Sequence, residues 1–389
     1  MEWKTSWSYL PIDYGTTIGT IENITQKTTV WNNLNAEKIK IRFSNQYGRE
    51  DLVIEKAILL VDQKKVPLTY KGSTKITIGS LESFYSDECM LSVTAGQKLE
   101  IRLYIKEKTK IQSACSTWAA KSWQTVYGLD GDFTENDAFT PVESRAVFPY
   151  VEADVNKANI VFGISEIKAF TRDTVRTIAL FGDSITHMSY YSDALMENLY
   201  QNYPGSVTVI NRGIGGNRVL HDASVVKDMP GEGKCFGIAA TKRFVSDVYD
   251  LDCPEDIVIL EGINDMMHPY VFQKPEEIVT ARDLEGAIEE FVNVAHGRGS
   301  RVYLGSVMPF RNDSMEWLPE AEGCRVSFND WIRKQTIADG VIDFSKAIEE
   351  EERPQYMKEG FHIGDGLHPN EAGGAVMAKA AYEVLFKTN

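Results

Sequence analysis

The sequence predicts an all-β sandwich or jelly roll over residues 1–170, followed by an α/β domain built on a parallel sheet over residues 171–389. Three observations carry this. At 389 residues the chain is longer than a single core usually needs. From about residue 20 to about residue 165 it reads as short strands separated by turns. From about residue 171 short apolar runs alternate with stretches of helical period, the pattern of a parallel sheet covered on both faces.

In the first half, Lys38-Ile39-Lys40-Ile41-Arg42-Phe43 alternates charged and apolar residues, as does Leu99-Glu100-Ile101-Arg102-Leu103-Tyr104-Ile105. A period of two marks a strand with one wet face. Shorter strands are expected at Val53 to Leu60, Lys75 to Ile78 and Met90 to Val93, with turns at Asn45 to Gly48, Lys71-Gly72 and Gly96. No long helix is expected here. The polar stretch Gly128 to Asp137 reads as a loop. Asp130 and Asp132 stand at calcium-loop spacing, but Glu135 replaces the required glycine and Pro141 the bidentate glutamate, which excludes calcium.

In the second half, Val175 to Phe181 is a buried strand ending at Gly182. Tyr191, Leu195 and Leu199 mark a helix closed by Pro204-Gly205. Val207 to Ile210 and Asp256 to Leu260 are the next strands. Leu284, Ile288, Phe291, Val292 and Ala295 line one face of a helix ended by Gly297 and Gly299, and Arg301 to Val307 is a fourth strand. Asn370 caps a last helix expected to bury Val376, Ala380 and Val384.

Composition narrows the function classes. The apolar and charged fractions, 43% and 25%, are ordinary globular values. A net charge of −15 disfavours nucleic acid and anionic membranes as partners. No apolar run reaches spanning length. The first residues, MEWKTSWSYLPIDYG, lack a basic region followed by an apolar stretch, so a cytoplasmic protein is expected. Cys89, Cys115, Cys235, Cys253 and Cys324 are scattered, with no CxxC pair, and read as free thiols. The six histidines are dispersed and no HExxH occurs, so no metal and no cofactor is expected.

Four segments carry chemistry, and each falls at the carboxyl end of a strand or just before the last helix. In open parallel sheets, ligands bind beyond those ends. Phe181-Gly182-Asp183-Ser184-Ile185-Thr186 places a serine at a strand-to-helix turn that Gly182 permits, with its N–H and the following helix dipole near a developing oxyanion. Alone, it is equally a turn in which the serine only caps. Asn211-Arg212-Gly213-Ile214-Gly215-Gly216-Asn217 leaves backbone N–H groups bare. It misses the dinucleotide fingerprint, because it follows the second strand and the GxGxxG spacing fails. Glu261-Gly262-Ile263-Asn264-Asp265 offers an amide that can donate to an oxyanion, or merely a turn. Asp365-Gly366-Leu367-His368-Pro369-Asn370 sets a carboxylate three residues from an imidazole, suited to fixing its tautomer. His362, three residues before Asp365, competes for that role.

In joint order, FGDSIT, NRGIGGNRV, EGIND and DGLHPN resemble the four blocks of the SGNH hydrolase superfamily of GDSL esterases and acylhydrolases, over roughly residues 175 to 387. The resemblance implies a flavodoxin-like three-layer α/β/α domain. It also implies Ser184 as nucleophile and first oxyanion donor, Gly215 and Asn264 as the other donors, His368 as base and Asp365 as its orienting partner. No block surrounds His362. More narrowly, IRFSNQYG, SDECMLSV, NDWIR and GVIDF are similar to a two-domain subgroup of acylhydrolases, some associated with xylan and oligosaccharide degradation, with an N-terminal jelly roll.

The implied activity is hydrolysis of short-chain, chiefly acetyl, esters on carbohydrates through an acyl-enzyme. The partner is then a small-molecule or oligosaccharide ester, and a homo-oligomer is allowed. A lipase, thioesterase or arylesterase acting on larger acyl groups is the alternative, and a carbohydrate-binding protein using the β-sandwich is a non-enzymatic one. Trp317, Trp331 and Tyr270 could line a sugar site but are more simply core residues. Relatives commonly carry an acidic-glycine step where this chain has Thr186-His187-Met188, so His187 is either a substrate contact or, more simply, a surface histidine.

Overall fold

A computed structural model describes residues 1–119, 121–149, 158–313 and 316–386. The chain divides into two compact units. One comprises Met1–Val175 with Tyr200–Ile210 and Asp228–Glu232; the other comprises Arg176–Leu199, Asn211–Lys227 and Gly233–Asn389.

The first unit is rich in antiparallel strands. One sheet runs in the order Glu2–Ser8, Gly163–Thr171, Lys38–Ser44, Ser83–Tyr85. A second runs Trp123–Gly128, Ile24–Trp31, Lys98–Ile105, Lys56–Val61, Lys64–Pro67. The alternation read from sequence works as expected: Ile39, Ile41 and Phe43 from one sheet, and Leu99, Ile101, Leu103 and Ile105 from the other, are all fully buried.

Three expectations differ in this unit. Strand Glu2–Ser8 lies well before residue 20 and pairs antiparallel with Gly163–Thr171, where the Thr5 hydroxyl also donates to the Glu166 carboxylate at 2.6 Å. The run Val53 to Leu60 is two strands, Leu52–Ile54 and Lys56–Val61, which join different sheets. Met90 to Val93 is not a strand. Only single bridges form at Cys89 and Val93, and Met90 is exposed, because the segment spends its pairing on two isolated contacts with Ile39 and Ala36. In the Gly128 to Asp137 loop, the carboxylates of Glu135 and Asp137 are engaged by Lys56 and Lys27.

The α/β half of the chain carries a five-stranded sheet. Its strands are β1 (Arg176–Gly182), β2 (Val207–Gly213), β3 (Asp256–Leu260), β4 (Arg301–Gly305) and β5 (Gly340–Ile342), in spatial order 2-1-3-4-5. Pairs β1–β3, β3–β4 and β4–β5 are parallel. This is the flavodoxin-like order, and the direction of winding reverses between β1 and β3. The strands read as continuous apolar runs because they are covered on both faces.

Helices complete the three layers. One group is α3 (Ala240–Tyr249), α4 (Ile263–Val271), α5 (Ala281–Gly297) and α6 (Pro319–Lys334), which pack on one another. The other is α2 (Tyr190–Asn202), α7 (Phe344–Ile348) and α8 (Glu371–Phe386), where Tyr191 meets Phe344 at 5.5 Å. Asn370 caps α8 by accepting from the N–H of Ala372 and Gly373 at 2.9 and 3.1 Å. The buried face of α8 is Gly373, Gly374, Met377, Ala378, Ala381 and Leu385, not Val376, Ala380 and Val384. Helix α8 is apolar on both stripes, so periodicity could not choose between them.

All five cysteines are free thiols. Among the described residues no group of His, Cys, Asp or Glu is placed to hold a metal ion. No described helix is long and apolar enough to cross a membrane.

Candidate active site

The four sequence segments meet beyond the strand ends where β1 and β3 lie side by side. Ser184 follows β1 and opens α1 (Ser184–His187), a single turn capped by Asp183, whose carboxylate accepts from the N–H of Ile185 at 2.9 Å. A helix this short offers little cumulative dipole. What it presents is the first N–H, which no intrahelical carbonyl can reach. Gly182 is not in a left-handed turn. A Cβ there would stand 2.5 Å from the carbonyl of Leu260 on β3, so the glycine is required for close strand contact.

The side chain of Ser184 lies 2.9 Å from Nε2 of His368, and Nδ1 of His368 lies 2.6 Å from Asp365. An ionised carboxylate can only accept, so Nδ1 carries the proton and Nε2 presents a lone pair to the serine hydroxyl. Burial pushes the Asp365 carboxyl up. The hydrogen bond and charge of His368, and the N–H groups of His368 and Leu367, outweigh it and hold Asp365 below its usual range. Asn312 fixes the loop by donating to the carbonyl of Asp365 at 2.6 Å. His362 plays a different part: its Nδ1 accepts from the N–H of Gly364 at 3.0 Å and of Gly366 at 3.1 Å, shaping the loop that carries Asp365.

The N–H groups of Ser184, Gly215 and Gly216 have no acceptor among the described residues. Gly215 and Gly216 form a turn closed by Asn217 N–H to Ile214 O at 3.1 Å, and Gly216 has a φ of +74°, open to glycine. The segment alone therefore does not choose between the adjacent N–H groups of Gly215 and Gly216. Asn264, in the first turn of α4, spends one amide hydrogen on the carbonyl of Asn217 at 2.9 Å and keeps the other.

His187 is a correction to the simpler expectation. It is buried, 9% exposed, with Nδ1 3.3 Å from where a Cβ of Gly215 would stand. Trp331 stacks on Phe328 at 5.8 Å, and Trp317 packs with Phe310 and under the Arg311 guanidinium at 4.5 Å. Tyr270 is half-buried.

Beneath Ser184 lies a buried charged floor that motif reading missed. Burial raises Asp183 to about 7 and Glu261 well above the usual carboxylate range, each also opposed by nearby carboxylates. Burial raises Asp265 to about 6 against the N–H groups of Leu220 and Val219 that it binds. A cation bound to this floor is Arg243 of α3, which donates to Glu261. Its signal was a charged residue on the apolar stripe Ala240, Phe244, Val248.

The profile of the GDSL-like Lipase/Acylhydrolase family matches residues 180–376, about half of the chain. No curated protein matches this chain. Similar solved structures include LAE5, an alpha/beta hydrolase enzyme from the metagenome of Lake Arreo, Spain (18% identity, 56% of this chain, 98% of that one, TM-score 0.43). Another is a single-residue variant of Axe2, an acetyl xylan esterase from Geobacillus stearothermophilus (19%, 55%, 96%, 0.42). A GDSL-like lipase from Bacteroides thetaiotaomicron is similar at 18% identity, over 55% of this chain and 89% of that one, with a TM-score of 0.40.

Proposed function

This chain belongs to the GDSL-like lipase/acylhydrolase family and is a carboxylic ester hydrolase, and from that premise we propose that it removes short acyl groups, acetyl above all, from carbohydrate esters through an acyl-enzyme on Ser184. The observation that carries the serine mechanism is the continuous path Ser184–His368–Asp365, at 2.9 and 2.6 Å. The acetyl and carbohydrate preference rests on the sequence resemblance of the IRFSNQYG and SDECMLSV segments to xylan-associated acylhydrolases.

In the proposed cycle His368 takes the Ser184 proton as the hydroxyl attacks the ester carbonyl. Asp365 holds the ring and stabilises the imidazolium. The oxyanion receives the N–H of Ser184, an N–H of the Gly215–Gly216 turn, and the free amide hydrogen of Asn264. His368 returns its proton to the leaving alcohol, and water repeats the sequence on the acyl-enzyme. The substrate is a small-molecule or oligosaccharide ester, with no metal or cofactor in any step.

Replacing Ser184 with alanine is expected to lower hydrolysis of p-nitrophenyl acetate by roughly 10⁴-fold or more, with an unchanged circular dichroism spectrum. Substantial turnover by the folded variant would remove the serine mechanism. Acetate release from acetylated xylo- and manno-oligosaccharides, beside a C2 to C12 ester series, tests the substrate. A maximum at long chains would reassign the enzyme to larger acyl groups.

A further inference from the structure

Arg243 stands outside every motif, yet it is 2% exposed and its guanidinium is fully engaged. Nε donates to Oδ1 of Asn217 at 2.7 Å. Nη1 donates to the carbonyl of Arg212 and to Asp247, both at 3.0 Å. Nη2 donates to the carbonyl of Gly182 and to Glu261, both at 3.0 Å. The ring of Phe181 covers one face, 4.1 Å from the guanidinium carbon.

Three of these acceptors sit at the ends of three strands. Gly182 closes β1, two residues before Ser184. Arg212 is the last residue but one of β2, ahead of Gly215 and Gly216. Glu261 follows β3, three residues before Asn264. Asn217 adds a second route, since it accepts from Arg243 through Oδ1 and from the Asn264 amide through its backbone carbonyl. One rigid fork therefore touches the chain beside each of the three oxyanion donors. Oxyanion stabilisation depends on donors held at their distances before the charge develops. A planar guanidinium holds five donors in a fixed fork, whereas an ammonium offers only three, on a single rotatable nitrogen.

We propose that Arg243 is a positioning residue that sets the mutual spacing of the three oxyanion donors. The proposal rests on the assignment of Ser184, the Gly215–Gly216 turn and Asn264 as those donors. Arg243 touches no reacting atom. It acts through Gly182, Arg212, Asn217 and Glu261, and Asp247 helps offset the cost of burying its charge.

The test is Arg243→Lys in the full chain, assayed with p-nitrophenyl acetate alone and combined with Asn264→Ala, with Ser184→Ala alongside. Lysine keeps the positive charge beside Glu261 but loses the fork. The expected result is a kcat lower by about 10- to 100-fold with KM within about twofold, and a much smaller loss when Asn264 is already alanine, because coupled residues are not additive. A folded variant with wild-type kcat, a loss confined to KM, or equal losses in both backgrounds overturns the proposal. If Arg243→Lys does not fold, Asn217→Leu, which removes the Nε acceptor, carries the same expectation and the same refutation. Turnover retained by Ser184→Ala would bring down the esterase reading and this proposal together. An inactive Ser184→Ala with an unaffected Arg243→Lys brings down this proposal alone.

Discussion

The loop above Ser184 and the floor below it each hold an aspartate within a few residues of the chemistry, and the two are shifted from the usual carboxylate range in opposite directions. Asp365 is partly open to solvent, hydrogen-bonded to His368 and two N–H groups, and held below its usual range. Asp183 adjoins Ser184 in sequence but is fully buried among other carboxylates and is raised to about 7. Proximity to the serine does not decide which carboxylate is held as the anion beside His368. Hydrogen-bond supply against burial decides it.

The comparison breaks most visibly at Asp365. Asp365→Asn keeps the shape of the loop but no longer favours the Nδ1–H tautomer of His368, so kcat is expected to fall about 10³- to 10⁴-fold. A loss under tenfold would mean that the loop carboxylate is not the orienting group. Asn264→Ala, on the floor side, should cost less, about 100- to 1000-fold in kcat with KM nearly unchanged. A change mainly in KM would move Asn264 to substrate binding.

The smallest effect on rate is expected from Asp183→Asn, because asparagine can still cap α1. Its signature is in stability. Asp183 rises from 3.8 to about 7 on folding, so its favourable contribution is complete below about pH 4 and is lost as pH rises through about 7. The melting temperature of Asp183→Asn relative to wild type should therefore climb between pH 4 and pH 8. Parallel melting curves across that range would show that Asp183 is not protonated in the folded protein. Asp365 has the opposite sign: its contribution is present above pH 3.8 and is lost as pH falls through its depressed folded value.

The strand-end blocks were legible because each packs several informative residues into one short loop, and the parallel sheet delivers such loops to a common edge. The structure brings Ser184, His368 and Asp365 within hydrogen-bond distance from positions 184 residues apart. Arg243 was not legible in that way. Two of its five acceptors are the backbone carbonyls of Gly182 and Arg212, and a backbone acceptor leaves no trace in residue type. The burial of His187 was hidden for a related reason, since it depends on the neighbouring glycine turn of another strand. Periodicity succeeded where apolar and polar residues alternate, as in Lys38–Ser44, and failed on α8, where both candidate faces are apolar.

The first unit is not a continuous stretch of chain: after Val175 it takes in Tyr200–Ile210 and Asp228–Glu232. A chain severed between residues 170 and 171 would leave Tyr200–Ile210 and Asp228–Glu232, which complete the first unit, on the other fragment.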